Sequence, residues 1–213
     1  MASIKLWFSP GACSLAPHIL LHEAGMPFET ITLSVKAGFP EEFRHLNPKM
    51  RVPVLSLNGH VITENPAIMT AISQLAPEKH LMGKTDLDKV RVYEWMNYIS
   101  GTLHGQAFGG LLRPHRFSDD PSTYNSIKEK SVKTIAECFN HIEQNLSGVH
   151  AVGDDFTAVD AFLLVFYRWV ARFNWDLQGQ YPKYTKLVVE VVKRKAVQDA
   201  LAAEGVDSLV PKI

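Results

Sequence analysis

The residues best suited to chemistry lie near the start of the chain, in the stretch Ser9–Ser14, which reads Ser-Pro-Gly-Ala-Cys-Ser. The stretch follows a strand-like run and precedes a helix-like one, so Cys13 stands where a helix begins. Unpaired backbone N–H groups and the positive end of the helix dipole favour thiolate over thiol at such a position. We therefore predict that Cys13 is reactive and has a lowered pKa. The alternative is an inert buried cysteine, the commoner fate of free cysteines.

A metal site is the second chemistry that the spacing suggests. His18 and His22 stand four residues apart with Glu23 beside them, a spacing that can hold zinc on one helix face. No further ligand set is evident, so we predict no metal.

Composition excludes several classes of partner. The chain has 213 residues, 46% of them hydrophobic, and 22 Lys plus Arg balance 22 Asp plus Glu. This balance gives no electrostatic case for nucleic acid or an acidic membrane, so we expect a small-molecule partner. The apolar run over 161–170 is too short to span a bilayer. Two cysteines in dissimilar segments and no signal-peptide pattern predict a cytoplasmic protein.

Periodicity predicts that the first part of the chain mixes strands and helices. Alternation over Ile4–Phe8 indicates a strand, and apolar residues at helical spacing from Leu15 indicate a helix with Ser14 as its N-cap. A second strand over 28–33 would complete a parallel βαβ unit. The next predicted elements are a short helix over 41–46, strands over 54–57 and 60–63 around Asn58-Gly59, and a helix with Asn65 as its N-cap. The order βαβαββα predicts an α/β domain over residues 1–78.

The remainder, residues 86–213, is predicted to be an all-helical domain. Glycines within the first of its helices predict a bend or break there. The other predicted features are a helix opening at Asp120-Pro121, a capping box at Thr157–Asp160, and helices over 182–193 and 197–203.

Three stretches carry a resemblance to a known family: Ser9–His18, Asn47–Leu55 and Thr63–Met69. Together with the element order, they resemble the cytosolic glutathione transferases, and the Pro-Gly-Ala-Cys-Ser-Leu run is similar to the bacterial β class. The resemblance implies a thioredoxin-like α/β domain followed by an all-α domain. It also implies a homodimer that uses glutathione as co-substrate and needs no metal.

The resemblance implies a binding role for residues of the first domain. Val52-Pro53 resembles the family's cis-proline turn, which leaves Val52 backbone groups free to pair with an extended peptide such as glutathione. Glu64 and Asn65 would hold the ammonium and carboxylate of its γ-glutamyl end, although ordinary helix capping is the alternative. Ser14 or Ser9 is an alternative hydrogen-bond partner for the thiolate, as in serine-type members of the family.

Other candidate contacts to glutathione are less specific. Lys36 and Arg51 are candidates for its glycyl carboxylate, and both are equally explained as solvated charges. Asn97 resembles the residue that reaches glutathione in the neighbouring subunit.

The helical domain is implied to face the glutathione sulfur through His104. As a neutral imidazole His104 would accept a thiol proton, and as an imidazolium it would stabilise a thiolate. Many β-class members have Lys after this histidine, whereas Gly105 follows here, which removes a cation. A pocket for the electrophile is predicted from Phe108, Leu112, His115 and Trp169, with inter-helix packing as the alternative for each.

The implied activity is conjugation of glutathione to hydrophobic electrophiles, thiol exchange through a Cys13–glutathione mixed disulfide, or both. The alternative from another class is a non-catalytic glutathione-binding module with the same fold.

Overall fold

A four-stranded mixed sheet organises the first part of the molecule. The computed structural model describes residues 2–35 and 38–211. The strands are β1 (Ile4–Phe8), β2 (Glu29–Thr32), β3 (Val54–Leu57) and β4 (His60–Thr63), in the spatial order β2-β1-β3-β4. β1 pairs parallel with β2 and antiparallel with β3, and β3 pairs antiparallel with β4. The parallel pair requires a crossover, which α1 (Leu15–Ala24) provides.

Most of the predicted strand pattern is confirmed. β1, β3 and β4 have the predicted bounds, and β2 is shorter than expected. Asn58 and Gly59 have φ values of 51° and 84°, as a two-residue turn with both residues in the left-handed region requires. The helix predicted over 41–46 is a single 3₁₀ turn over Glu41–Phe43.

The predicted helix caps differ from the observed ones. Ser14 does not cap α1 with its side chain. Its hydroxyl accepts from the N–H of Ser9 (3.1 Å) and donates to the carbonyl of Ser9 (3.2 Å), which closes the turn before the helix. Helix α2 (Asn65–Leu75) includes Asn65, and the cap position is Glu64, whose φ is 75°.

The second part is helical, as predicted. Its helices are α3 (Asp86–Tyr98), α4 (Gly109–Leu112), α5 (Tyr124–Asn145), α6 (Ala158–Val170), α7 (Leu177–Gln180), α8 (Pro182–Val192) and α9 (Lys195–Glu204). Helix α6 forms the centre of the core, since all its residues except Trp169 are buried. The predicted capping box of Thr157 and Asp160 is present. Asp120 is followed by a 3₁₀ turn over Pro121–Thr123, and α5 begins only after it.

The sequence predicts a bend or a break within the first helix of this part, and the chain does not break after α3. The chain continues through a π-helical segment over Ile99–Phe108, which carries His104. A β-carbon on Gly105 would lie 3.1 Å from the carbonyl oxygen of Ser100, closer than in nine of ten such contacts. The glycine therefore fits this wide helix where a larger residue would require adjustment.

Side chains of the helical part hold the Cys13 loop at Gly11. A Glu204 carboxylate oxygen accepts from the Gly11 N–H at 2.7 Å, and the Trp169 indole N–H donates to the Gly11 carbonyl at 2.8 Å. The other Glu204 oxygen lies 3.0 Å from Nδ1 of His18, on α1. The carboxylate of Glu204 and the ring of His18 are both buried. α9 thus fixes the loop before Cys13 and the helix after it.

We predict that Glu204→Ala lowers the free energy of unfolding by about 2–6 kcal/mol, because two buried polar groups lose their partner at about 1–3 kcal/mol each. Urea unfolding measures the loss. The control is Glu190→Ala, which removes a partly exposed carboxylate paired with Lys193 and should cost about 0–1 kcal/mol. Equal losses of unfolding free energy in the two variants would contradict the proposed role of Glu204 in holding the Cys13 loop.

Candidate functional site

Cys13 lies where the start of α1 meets the turn before β3. Its side chain is 6% exposed, and its thiol donates to the Val52 carbonyl at 3.5 Å. The Val52-Pro53 peptide bond is cis, as the resemblance implied. The first helix and the cis-proline turn therefore meet at one sulfur atom.

The predicted lowered pKa of Cys13 is wrong in this structure. Burial raises the pKa of the thiol to about 11, although the Asn65 side chain and the charge of Arg113 act in the opposite direction. Removal from water disfavours the thiolate more than these groups stabilise it. Cys13 is therefore a protonated thiol at neutral pH.

The hydroxyl of Ser14 is hydrogen-bonded to the backbone of Ser9. Ser14 is fully buried, and its hydroxyl makes its two hydrogen bonds to the backbone of Ser9. A role for Ser14 in binding a thiolate remains a prediction.

Backbone and side-chain groups beside Cys13 are available to an extended ligand. The Val52 N–H has no partner among the described residues, and neither does the buried side-chain oxygen of Asn65. Glu64 is exposed and forms an ion pair with Lys49, whose ammonium also donates to the Thr63 hydroxyl at 2.7 Å. An exposed pair of this kind contributes about 0–1 kcal/mol, so Glu64 can exchange its partner at little cost.

His104 stands against an aromatic wall. Its ring centroid lies 5.5 Å from that of Phe166 and 5.6 Å from that of Trp169, and Phe108 lies 4.9 Å from Trp169. Because Trp169 also binds the Gly11 carbonyl, this wall is connected directly to the Cys13 loop. Phe166 is buried on α6. Sequence reasoning missed it because the continuous apolar run gives no sign of which of its side chains face the site.

His104 is uncharged at neutral pH. Burial, followed by the charges of Arg113, Arg51 and Arg116, lowers its pKa to about 4. A base whose conjugate acid is this strong takes a thiol proton poorly. The lowered pKa therefore favours a neutral imidazole over an imidazolium.

The structure brings together only some of the predicted pocket residues. Phe108 and Trp169 lie with His104, as described above. Leu112 is 59% exposed, and His115 is exposed in the 3₁₀ turn over Pro114–Arg116.

Two arginines of the site were missed. Arg113 follows α4 directly, and Arg116 ends the next 3₁₀ turn. The positive charges of Arg51, Arg113 and Arg116 lower the pKa of His104, and the charge of Arg113 also lowers that of Cys13. The signal that could have found them was the missing cation at Gly105, since a site that stabilises a thiolate needs positive charge from elsewhere.

The remaining predicted residues have different outcomes. Lys36 lies outside the described residues. Asn97 is exposed on α3, and its amide donates to the Tyr93 carbonyl at 2.8 Å. Within residues 2–35 and 38–211 no cluster of His, Cys, Asp and Glu is arranged to hold a metal ion, and no helix is long and apolar enough to cross a membrane.

Comparison with known proteins places both parts of the chain in one family. Residues 2–74 match the N-terminal domain of glutathione S-transferases, and residues 106–195 match their C-terminal domain. The glutathione S-transferase GstA of Escherichia coli O157:H7 is 32% identical, over 95% of this chain and 99% of its own length.

Solved structures of similar proteins cover the whole fold. A glutathione transferase homologue from Sulfitobacter, crystallised with bound glutathione, has a TM-score of 0.89 at 26% identity, over 97% of this chain and 100% of its own. A bacterial β-class glutathione S-transferase from Sphingomonas chungbukensis has a TM-score of 0.83 at 30% identity, over 95% of this chain and 100% of its own.

We predict that alkylation of Cys13 by iodoacetamide in the free protein keeps accelerating as the pH rises through 9, because its pKa is about 11. The rate is measured by intact mass in a Cys138→Ala background, so that one thiol remains, with N-acetylcysteine in the same buffers as the unburied reference. Burial of the thiol lowers the alkylation rate by the same factor at every pH, whereas the pKa sets the pH at which the rate levels off. The pH dependence of the rate therefore reports the pKa separately from burial. A plateau reached by about pH 10, as expected of a thiol with an ordinary pKa, would contradict the prediction.

Proposed function

We propose that this chain, which belongs to the glutathione S-transferase family, conjugates glutathione to small hydrophobic electrophiles in the manner of the bacterial β class. In this reaction the thiolate of bound glutathione attacks an electrophilic carbon. The protein contributes orientation, stabilisation of the thiolate and an apolar seat for the acceptor.

One observation carries this proposal: a protonated thiol, Cys13, and an aromatic wall around His104 are joined through the Gly11 loop. With a pKa of about 11, Cys13 carries little thiolate at neutral pH, which favours the sulfur of glutathione as the main nucleophile. The Cys13 S–H can instead donate a weak hydrogen bond to a glutathione thiolate.

The groups beside Cys13 fit glutathione. The free N–H and the carbonyl of Val52 can pair with the cysteinyl backbone of the tripeptide as a neighbouring strand would. The unpartnered oxygen of Asn65 can accept from an N–H of the ligand, and the N–H groups at the start of α2 suit a carboxylate. Glu64 would bind the γ-glutamyl ammonium in place of Lys49.

Thiol exchange is a second candidate activity. Cys13 Sγ lies 3.5 Å from the Val52 carbonyl, next to the backbone on which the glutathione cysteine would pair. In this reaction the Cys13 thiolate attacks oxidised glutathione, one sulfur–sulfur bond forms as another breaks, and glutathione thiolate leaves. The raised pKa of Cys13 makes this the slower route at neutral pH. A non-catalytic glutathione-binding module has no observation in its favour.

We also infer a homodimer in the cytoplasm. Leu87, Val90 and Tyr93 are 64%, 60% and 41% exposed and follow one another at i, i+3 and i+6 on α3. Such a stripe on one helix face suits burial against a second copy. Asn97 continues this face, which supports its role at the glutathione of the neighbouring subunit.

Cys13→Ala tests the division between the two activities. We expect aromatic conjugation to fall about fivefold, the loss of one hydrogen bond, while the mixed disulfide detected by intact mass after incubation with oxidised glutathione disappears. Cys13→Ser, which keeps a donor, should retain more conjugation than Cys13→Ala. Full thioltransferase activity in Cys13→Ala would contradict a mixed disulfide at Cys13.

The double substitution Leu87→Glu and Val90→Glu tests the dimer. Four like charges would meet across a two-fold interface, so we expect the mass measured by light scattering to halve from that of a dimer. Val132→Glu replaces a residue that is 37% exposed on α5 and serves as the control, since it should leave the mass unchanged. A monomeric wild-type protein, or a dimer that survives the double substitution, would contradict the inferred interface.

A further inference from the structure

The Glu64 carboxylate already has a cationic partner within the chain. The Lys49 ammonium forms an ion pair with one of its oxygens and donates to the Thr63 hydroxyl at 2.7 Å. Thr63 ends β4 and pairs in register with Val54, which follows the cis Val52-Pro53 bond directly. The ion pair therefore lies beside the proposed glutathione edge, on the carboxylate to which the γ-glutamyl ammonium is assigned.

Lys49 belongs to a loop whose backbone is held by a buried side chain. The amide of Asn47 donates to the Arg51 carbonyl at 2.7 Å, and its side-chain oxygen accepts from the Lys49 N–H at 3.1 Å. The Met50 N–H also donates to the Asn47 carbonyl at 2.8 Å. Because the backbone is fixed, rotation of the lysine side chain is enough to make or break the ion pair.

Glu64 is fixed at its backbone and accessible at its carboxylate. Its carbonyl accepts from the Ile68 N–H at 2.9 Å, in the first turn of α2. The side chains of Lys49 and Glu64 are 46% and 58% exposed, so water competes with the ion pair. Exposed pairs of this kind are weak, and another cation can take the place of Lys49.

The γ-glutamyl ammonium and the Lys49 ammonium compete for one carboxylate. A second ammonium on Glu64 would stand close to the first and be repelled by it. When only part of the protein has its site open, the apparent Kd rises by the inverse of that fraction. Each molecule in which Lys49 occupies Glu64 must lose this pair, and the bond to Thr63, before glutathione binds fully.

We propose that Lys49 is an internal competitor that weakens the binding of glutathione and of its conjugates by occupying Glu64. The inference rests on the proposed function, since it takes Glu64 as the site of the γ-glutamyl ammonium. A conjugate keeps the γ-glutamyl end of glutathione, so Lys49 opposes the product as it opposes the substrate. The pair thereby favours release of the conjugate at the expense of affinity for glutathione.

Two ligands that differ only in the ammonium test the competition. Glutaryl-cysteinylglycine keeps the thiol and both carboxylates of glutathione and lacks its ammonium, so it has no need of Glu64. We expect Lys49→Met to lower the Kd of glutathione about threefold relative to that of this analogue, as measured by calorimetry. Expressing the result as a ratio removes the general effect of one lost positive charge, which acts on both anionic ligands.

Three variants serve as controls. Lys49→Arg keeps a cation that can pair with Glu64 and should keep the ratio near that of the wild type. Lys5→Met removes an ammonium that lies 3.0 Å from Glu29, at the opposite edge of the sheet, and should leave the ratio unchanged. In a Glu64→Gln background Lys49→Met should no longer change the ratio, because the two residues act through one contact.

Several results would overturn the inference. A ratio unchanged in Lys49→Met would mean that the lysine and the ligand share Glu64 without competing, and relative weakening of glutathione would mean that Lys49 helps to bind it. An effect that persists in the Glu64→Gln background would mean that it does not pass through Glu64. Each of these leaves the proposed function intact, whereas a wild-type protein that binds neither glutathione nor S-methylglutathione would overturn both.

Discussion

The site depends on the hydrogen bonds that two side chains distant in sequence make to the backbone of one glycine, Gly11. Glu204 holds the Gly11 N–H and Trp169 holds its carbonyl, from helices near the end of the chain. Breaking either contact would leave a buried polar group without a partner, a cost that keeps the loop in place. Because the same Glu204 binds His18, the Cys13 thiol is fixed from both sides. The loop before Cys13 and the helix after it are therefore both fixed by contacts with the helical part.

Burial is the main determinant of the pKa values of Cys13 and His104, and the charges of nearby arginines have a smaller effect. Both Cys13 and His104 are neutral at pH 7 because removal from water penalises their charged forms. The guanidinium groups around them keep their charge, as arginines do even when partly buried. The protein thus presents cations to its ligands while its own titratable groups stay uncharged.

Much of the fold could be predicted from sequence because its signals are local. Alternation and the Asn58-Gly59 pair located β3 and β4, and the family resemblance located the cis peptide and the residues around it. The start of α2 was misplaced by one residue, because Glu64 adopts φ = 75°, which few side chains favour and no pattern reveals.

The site itself was less predictable. The pKa of Cys13 depends on burial by residues far along the chain, and the Gly11–Glu204 bond joins residues 193 apart. Arg113 and Arg116 look like ordinary solvated charges in a loop, and only the folded chain shows what they face.

The wide helix that carries His104 links two positions of the chain. A β-carbon at position 105 would meet the Ser100 carbonyl at 3.1 Å, so a lysine there would force this segment to shift. Arg113 supplies a positive charge from the far end of the same helical stretch without that crowding. Glycine at position 105 therefore lets the helix that carries His104 keep its width, while the positive charge comes from a residue beyond the end of that segment.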